Sequence, residues 1–367
     1  MNALQRLHAE QDQSPWIDFI DRQLISSGAL AEQVSIGIRG LTSNPTIFAK
    51  AIATGQYDDL MRRGIAHGHS DREIFETIAI ADVGDAADIL RSVYDEADGA
   101  DGFASIEVEP DLANDTQQTI ERARYLWSKL HRPNVFVKIP ATSEGVPAIR
   151  AAIAEGININ VTLLFSVDVY RDVARAYVAG LRQRAERGED LSRVASVASF
   201  FVSRVDTKVD KALDAIGTAD ALTARGKAAV ANAKLAYAAY REIFDGAEFA
   251  DLRAAGARVQ RCLWASTSTK NPSYRDVLYV EELIGPETVN TLPTDTIKAF
   301  LDHGVVARTL DSGLAEATAA LAAVEAQGIS IKTVTAELIS EGVTAFAASF
   351  DDLMATIGAQ RRALAPA

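Results

Sequence analysis

The chain holds one cysteine, Cys262, in 367 residues. No disulfide can form within it, and a reducing compartment is the expectation. Long apolar runs are also absent. No stretch reaches the roughly 18 residues that a membrane-spanning helix needs. Residues 1–13 are polar and lack the apolar segment of a secretion signal. Basic residues are in deficit: 37 lysines and arginines face 50 aspartates and glutamates, a formal net charge of −13. Nonspecific binding to nucleic acid or to an anionic membrane needs basic patches, so both are disfavoured as partners. A small phosphorylated ligand needs only a few local cations and stays open. No cluster has metal-ligand spacing. His67 and His69, one residue apart in a polar Gly/Ser-rich stretch, read as loop residues. Neither a Pro- or Ser-rich linker nor an internal repeat is visible. The expectation is a soluble, cytoplasmic protein without a metal.

What the chain does have is alternation. Short apolar or β-rich runs recur at 16–20, 35–42, 103–109, 135–139, 157–165, 195–202, 259–265 and 288–292. Amphipathic stretches lie between them. Residues 115–130 carry Ile120, Ala123, Leu126, Trp127 and Leu130 at helical spacing. Residues 167–184 follow Ser166, a candidate N-cap, and 226–244 form an Ala-rich helix. Strands alternating with helices imply parallel βαβ units, and eight of them predict an α/β fold, a (β/α)8 TIM barrel with additional helices. A doubly wound open sheet is the alternative. Against it, no Gly-x-Gly-x-x-Gly follows a strand. The expected organisation is one domain over 1–367. Helical insertions fall near 56–99 and 205–256, the second holding two helices, and a helical extension covers 310–367.

The most informative residue is Lys138, which follows Val135, Phe136 and Val137 in a run bounded by Pro140. An ammonium at the end of a buried strand either finds an anion or loses its proton. With a lowered pKa it becomes a nucleophile for carbonyl carbon. A lysine that ends a strand and snorkels to water is the plainer reading.

Barrel chemistry sits at the C-terminal strand ends, so the polar residues there matter. They are Asp18, the run Thr42-Ser43-Asn44-Pro45-Thr46, Glu107, Lys138, Asn160 with Thr162, Ser199 with Arg204, and Ser266-Thr267-Ser268-Thr269-Lys270. Asn160 and Thr162 lie two apart and share a strand face. Each has a structural alternative: Asp18 as a helix cap near Phe19, Asn44-Pro45 as a turn, Arg204 as a solvated helix start. Together, a lysine, two carboxylates, two amides and several hydroxyls suit Schiff-base chemistry on a polyhydroxylated carbonyl compound. The iminium is the electron sink for C3–C4 cleavage, so no cofactor is needed. A carboxylate takes the C4 hydroxyl proton.

On segments 40–48, 105–108, 137–142, 157–166, 199–204 and 264–267, in that order, the chain resembles the transaldolases, Schiff-base transferases of aldehyde and ketone residues. Glu341-Gly342-Val343, with Phe346 and Phe350, looks like the longer bacterial subgroup. The resemblance implies transfer of a dihydroxyacetone unit from sedoheptulose 7-phosphate to glyceraldehyde 3-phosphate, in the non-oxidative pentose phosphate pathway. It also implies the roles. Lys138 is the Schiff-base lysine. Asp18 is the acid/base at the C4 hydroxyl, with Asp21, three residues on, as the other candidate. Glu107 and Thr162 hold the catalytic water, while Asn44 and Asn160 hold substrate hydroxyls and the iminium. Ser199 contacts substrate; Arg204 and Ser266 hold phosphate. Where shorter relatives have an arginine, this chain has Ser268, and Lys270 becomes the candidate second cation. The rival readings are a fructose-6-phosphate aldolase, which releases free dihydroxyacetone, and a non-catalytic sugar-phosphate-binding barrel.

Overall fold

The structure, a computed structural model, describes residues 1–364. The last residues of the expected extension, 365–367, lie outside them. Eight parallel strands close in sequence order: β1 Gln13–Ile17, β2 Gly40–Leu41, β3 Phe103–Glu107, β4 Val135–Pro140, β5 Ile159–Leu164, β6 Ser196–Phe201, β7 Gln260–Ala265 and β8 Thr288–Leu292. The ring shuts where β1 meets β8, from Gln13 beside Thr288 to Ile17 beside Leu292. This is a (β/α)8 TIM barrel with additional helices.

Two strands differ most from the sequence expectation. β1 begins three residues early because two polar residues are satisfied inside. Gln13 Nε2 donates to Leu283 O at 2.6 Å and Thr288 Oγ1 at 2.9 Å, and Ser14 donates to Asp101. β2 is only two residues long: the helix Ala29–Ser35 ends inside the predicted run, and its closing turn, with Gly37 at φ 114° and Ile38 N bonded back to Gln33 O at 3.0 Å, takes up the next residues. The stretch near 56–99 carries the helices Asp58–Ala66, Asp71–Ile89 and Arg91–Glu96. The one near 205–256 holds not two helices but four: Ser203–Ile216, Ala219–Ala224, Ala228–Phe244 and Ala247–Ala254. The six-residue member is too short to show a period. Ser166 caps the helix Val167–Glu186 by accepting from Val169 N.

The barrel interior changes character along its axis. Its lower half is an aromatic plug. Phe103 and Phe136 stack with centroids 4.2 Å apart, and Trp16 lies 6.0 Å from Phe136. Gly40 makes room for the plug: a Cβ there would stand 2.5 Å from Trp16 Cε2. Trp16 Nε1 donates to Asp101 at 2.9 Å, and Arg39 pairs with the same carboxylate at 2.7 Å. The plug divides the interior: beneath it lies a cavity of about 560 Å³ that Arg39, Asp101 and Arg261 line, and above it lie the strand ends where barrel chemistry sits.

Candidate active site

Glu107 and Lys138 are register partners on β3 and β4, and Lys138 is the register partner of Asn160 on β5. One row of the barrel thus carries a carboxylate, an amine and an amide side by side. Lys138 Nζ lies 2.5 Å from Glu107 Oε1 and donates to Ser43 O at 3.2 Å. The ammonium has found its anion rather than open water. Both side chains are largely enclosed, 9% and 12% exposed. Burial pushes the Glu107 carboxyl above its usual value. Lys138 opposes that shift, and the charge of Asp18 adds to it. Glu107 Oε2 is buried with no partner among the described residues.

Above this row opens a cavity of about 520 Å³. Asp18, Asn44, Glu107, Lys138, Thr162, Ser199, Arg204, Ser266 and Lys270 all line it. Asp18, one residue beyond β1, accepts from Thr42 Oγ1 at 2.7 Å. Asp21 instead caps the helix Arg22–Ser26, accepting from Leu24 N at 2.6 Å. Asn44 caps the helix Pro45–Ala53 through Oδ1, which accepts from Ile47 N at 3.1 Å.

Asn160 is the residue placed differently. It is fully buried and does not line the cavity. Its Nδ2 donates to Ser105 Oγ at 3.2 Å, and its Oδ1 accepts from Ser199 Oγ at 2.7 Å. Asn160 shares the row of Glu107 and Lys138, but its shorter side chain is held by Ser105 and Ser199 while theirs reach the cavity.

Cations gather on the β6–β7 side. Arg204 has no carboxylate partner among the described residues, and its guanidinium stands 5.1 Å from the Phe201 ring centroid. Lost hydration with no opposing anion lowers its proton affinity. Lys270 donates to Ser268 Oγ at 2.7 Å. Ser266 turns the chain sharply at φ 58°, a left-handed conformation that costs a side-chain-bearing residue roughly 1 kcal/mol or more. Ser203 holds that turn: its N–H donates to Ser266 O at 3.0 Å, and the two hydroxyls meet at 2.8 Å.

Two contributions escaped sequence reasoning, and a third showed only as a resemblance. A bulge in β5, with Leu163 at φ 60°, breaks the alternation so that Thr162 and Leu163 both face the cavity. Leucine carries no turn signal, so nothing in the sequence marks it. Lys50, on the helix after β2, also lines the cavity. The third is the long helix Ile331–Leu364, which lays Gly342, Ala345, Phe346 and Ser349 along one wall at helical spacing. Gly342 permits the approach, since a Cβ there would stand 3.0 Å from Leu163 Cδ2. Lys208 ties this helix to Ser203–Ile216 by pairing with Glu337 at 2.8 Å and with Glu341.

The sequence model of the Transaldolase/Fructose-6-phosphate aldolase family matches residues 15–357. The chain belongs to that family. Among curated relatives, a protein named Transaldolase from Thermobifida fusca is 51% identical over 348 residues, 94% of this chain and 95% of its own length. Transaldolase 1 of Streptomyces coelicolor is 49% identical, with 97% of this chain and 94% of its own covered. Transaldolase of Mycobacterium tuberculosis is 48% identical, covering 93% and 92%. The family match takes in all eight strand ends and the helix wall through Phe346 and Ser349. No helix among the described residues is long and apolar enough to cross a membrane.

Proposed function

We propose that this chain is a transaldolase acting as one domain in the cytoplasm. It moves a dihydroxyacetone unit from a ketose phosphate such as sedoheptulose 7-phosphate to glyceraldehyde 3-phosphate. The observation that carries the reading is the Lys138–Glu107 pair, closed into a cavity that Asp18 also faces. Proton transfer from Lys138 to Glu107 frees the amine, and the raised proton affinity of Glu107 favours that transfer. The amine attacks the ketone carbon to give a carbinolamine. Glu107 and Thr162, through a water, return a proton as hydroxide leaves, and the iminium forms. Asp18 takes the C4 hydroxyl proton, the C3–C4 bond breaks, and its electrons pass to the iminium nitrogen. An aldose phosphate departs, leaving a three-carbon enamine on Lys138. The acceptor aldehyde then takes its place and the steps reverse. Ser199 and Asn44 hold sugar hydroxyls. Asn160 positions Ser199 from within the row. Arg204, Ser266 and Lys270 hold the phosphate.

The test is borohydride trapping. Incubation with fructose 6-phosphate and sodium borohydride fixes a reduced three-carbon adduct on the Lys138 peptide, read by mass spectrometry. No adduct on folded protein would overturn the covalent mechanism. Added erythrose 4-phosphate then separates transfer from aldolase activity. A transferase makes sedoheptulose 7-phosphate and little free dihydroxyacetone, whereas an aldolase releases dihydroxyacetone. Replacing Lys270 with methionine raises KM for phosphorylated substrates by roughly tenfold, the scale of one charge-assisted contact. An unchanged KM would remove Lys270 from the phosphate site. A lysine lacks the planar fork of arginine, so this site tolerates looser phosphate geometry.

A further inference from the structure

The proposed phosphate site has two halves on different segments. Arg204 stands at the start of the helix Ser203–Ile216. Ser266, Ser268 and Lys270 lie on the chain between β7 and the short helix Leu278–Glu281. Much of that chain, from Pro272 to Asp276, is exposed and has no regular structure. Its far end is tied down by Arg275 to Glu281 and by Asp276 to His303, each at 2.8 Å, but a cation whose own stretch of chain is not held binds phosphate weakly, because binding must first order it.

Two aspartates answer this problem. Asp206 and Asp210 lie one turn apart on the helix that carries Arg204, 1% and 8% exposed. Each divides its oxygens the same way. Asp206 Oδ1 accepts from Ala229 N at 2.7 Å and its Oδ2 from the Tyr279 hydroxyl at 2.8 Å. Asp210 Oδ1 accepts from Gly226 N at 2.9 Å and its Oδ2 from the Tyr274 hydroxyl at 2.7 Å. One oxygen of each thus grips the backbone at the start of the neighbouring helix, and the other grips a tyrosine on the chain that follows Lys270. Neither carboxylate has a lysine or arginine partner within ion-pair distance among the described residues. Burial and the facing carboxylates push both phenols up, so both stay donors. Tyr274 has a made seat: a Cβ on Gly226 would come within 2.7 Å of its ring Cζ. Tyr274 lies four residues from Lys270 and is the nearest of these anchors to it.

We propose that Tyr274 and Asp210, backed by Tyr279 and Asp206, are positioning residues that hold the Lys270 loop at the spacing from Arg204 that a substrate phosphate requires. This rests on the transaldolase reading of the cavity. The latch touches no reacting atom. Its loss therefore shows in phosphate recognition and not in the chemical step.

The experiment compares glyceraldehyde 3-phosphate with D-glyceraldehyde as acceptors at saturating donor. Tyr274→Phe raises KM for the phosphorylated acceptor about tenfold, the scale of one hydrogen bond to a charged group. Its kcat, and both parameters for D-glyceraldehyde, stay at wild-type values. Asp210→Asn retains near-wild-type KM, because its carbonyl accepts from Gly226 N while its amide donates to the tyrosine oxygen. Asp210→Ala behaves as Tyr274→Phe does. Equal losses on both acceptors would overturn the latch, as would a Tyr274→Phe enzyme identical to wild type. Arg204→Ala and Lys270→Met serve as reference variants. If they leave the preference for the phosphorylated acceptor intact, the phosphate site itself is misplaced and the latch falls with it. If they abolish that preference while Tyr274→Phe does not, the latch alone fails.

Discussion

Lys138→Met abolishes turnover and leaves the barrel standing. The loss in kcat is on the order of 10⁵-fold, the scale seen when a covalent nucleophile is removed. The borohydride adduct disappears with it. Methionine keeps most of the volume of the stem, so packing against neighbouring strands is retained. Stability carries a second signature. Lys138 holds down the proton affinity that burial gives Glu107. Without the lysine, that carboxyl moves further above the ordinary range. A carboxyl whose folded pKa exceeds its unfolded value favours folding at low pH, and the benefit is lost as pH rises through the folded value. The variant should therefore come closest to wild-type stability in acid. It should fall behind as pH climbs past the usual carboxylate range, by no more than roughly 3–5 kcal/mol for a broken buried pair. Thermal unfolding of both proteins across pH measures this. A gap that stays constant with pH would mean that Glu107 does not sense Lys138 as the 2.5 Å contact requires.

Asp18→Asn stops the reaction one step later. The amine, Glu107 and Thr162 remain, so the iminium forms. Asparagine cannot take the C4 hydroxyl proton, and C3–C4 cleavage stalls. The expected fall in kcat is roughly 10²–10⁴-fold, the usual worth of a positioned base. Trapping with fructose 6-phosphate and borohydride gives the sharper readout. Wild type yields a three-carbon adduct without phosphate on Lys138, whereas Asp18→Asn yields the intact six-carbon phosphorylated ketose. A three-carbon adduct formed at the wild-type rate would assign the base elsewhere. Asp21 is a poor substitute, because its carboxylate is engaged at a helix N-terminus.

How much of this was legible follows from what each signal encodes. Strand-forming runs are local, so the β-rich stretch around Val135–Pro140 and its seven counterparts could be read, and their number and alternation with helices imply the barrel. Boundaries failed where a distant partner decides them. Gln13 looks like a loop residue until Thr288 satisfies it. The polar strand ends were readable because a barrel brings them together whatever lies between. Which side chains reach the cavity was not: Asn160 shares the row of Lys138 but is held by Ser105 and Ser199. Leu163 and Lys50 were invisible for another reason: a bulge and a helix orientation assign them to the cavity, and neither leaves a trace in residue type. Gly342 and Phe346 stood out only by resemblance. Their role on the cavity wall depends on a docked helix and a close contact with Leu163.

That docked helix separates the scaffold from the wall of its cavity. Barrel closure requires nothing after Leu292, where β8 meets β1. The wall formed by Gly342 and Phe346 belongs to a later stretch of chain. The mouth over Lys138 is therefore finished by a segment that the closed ring of strands does not itself need.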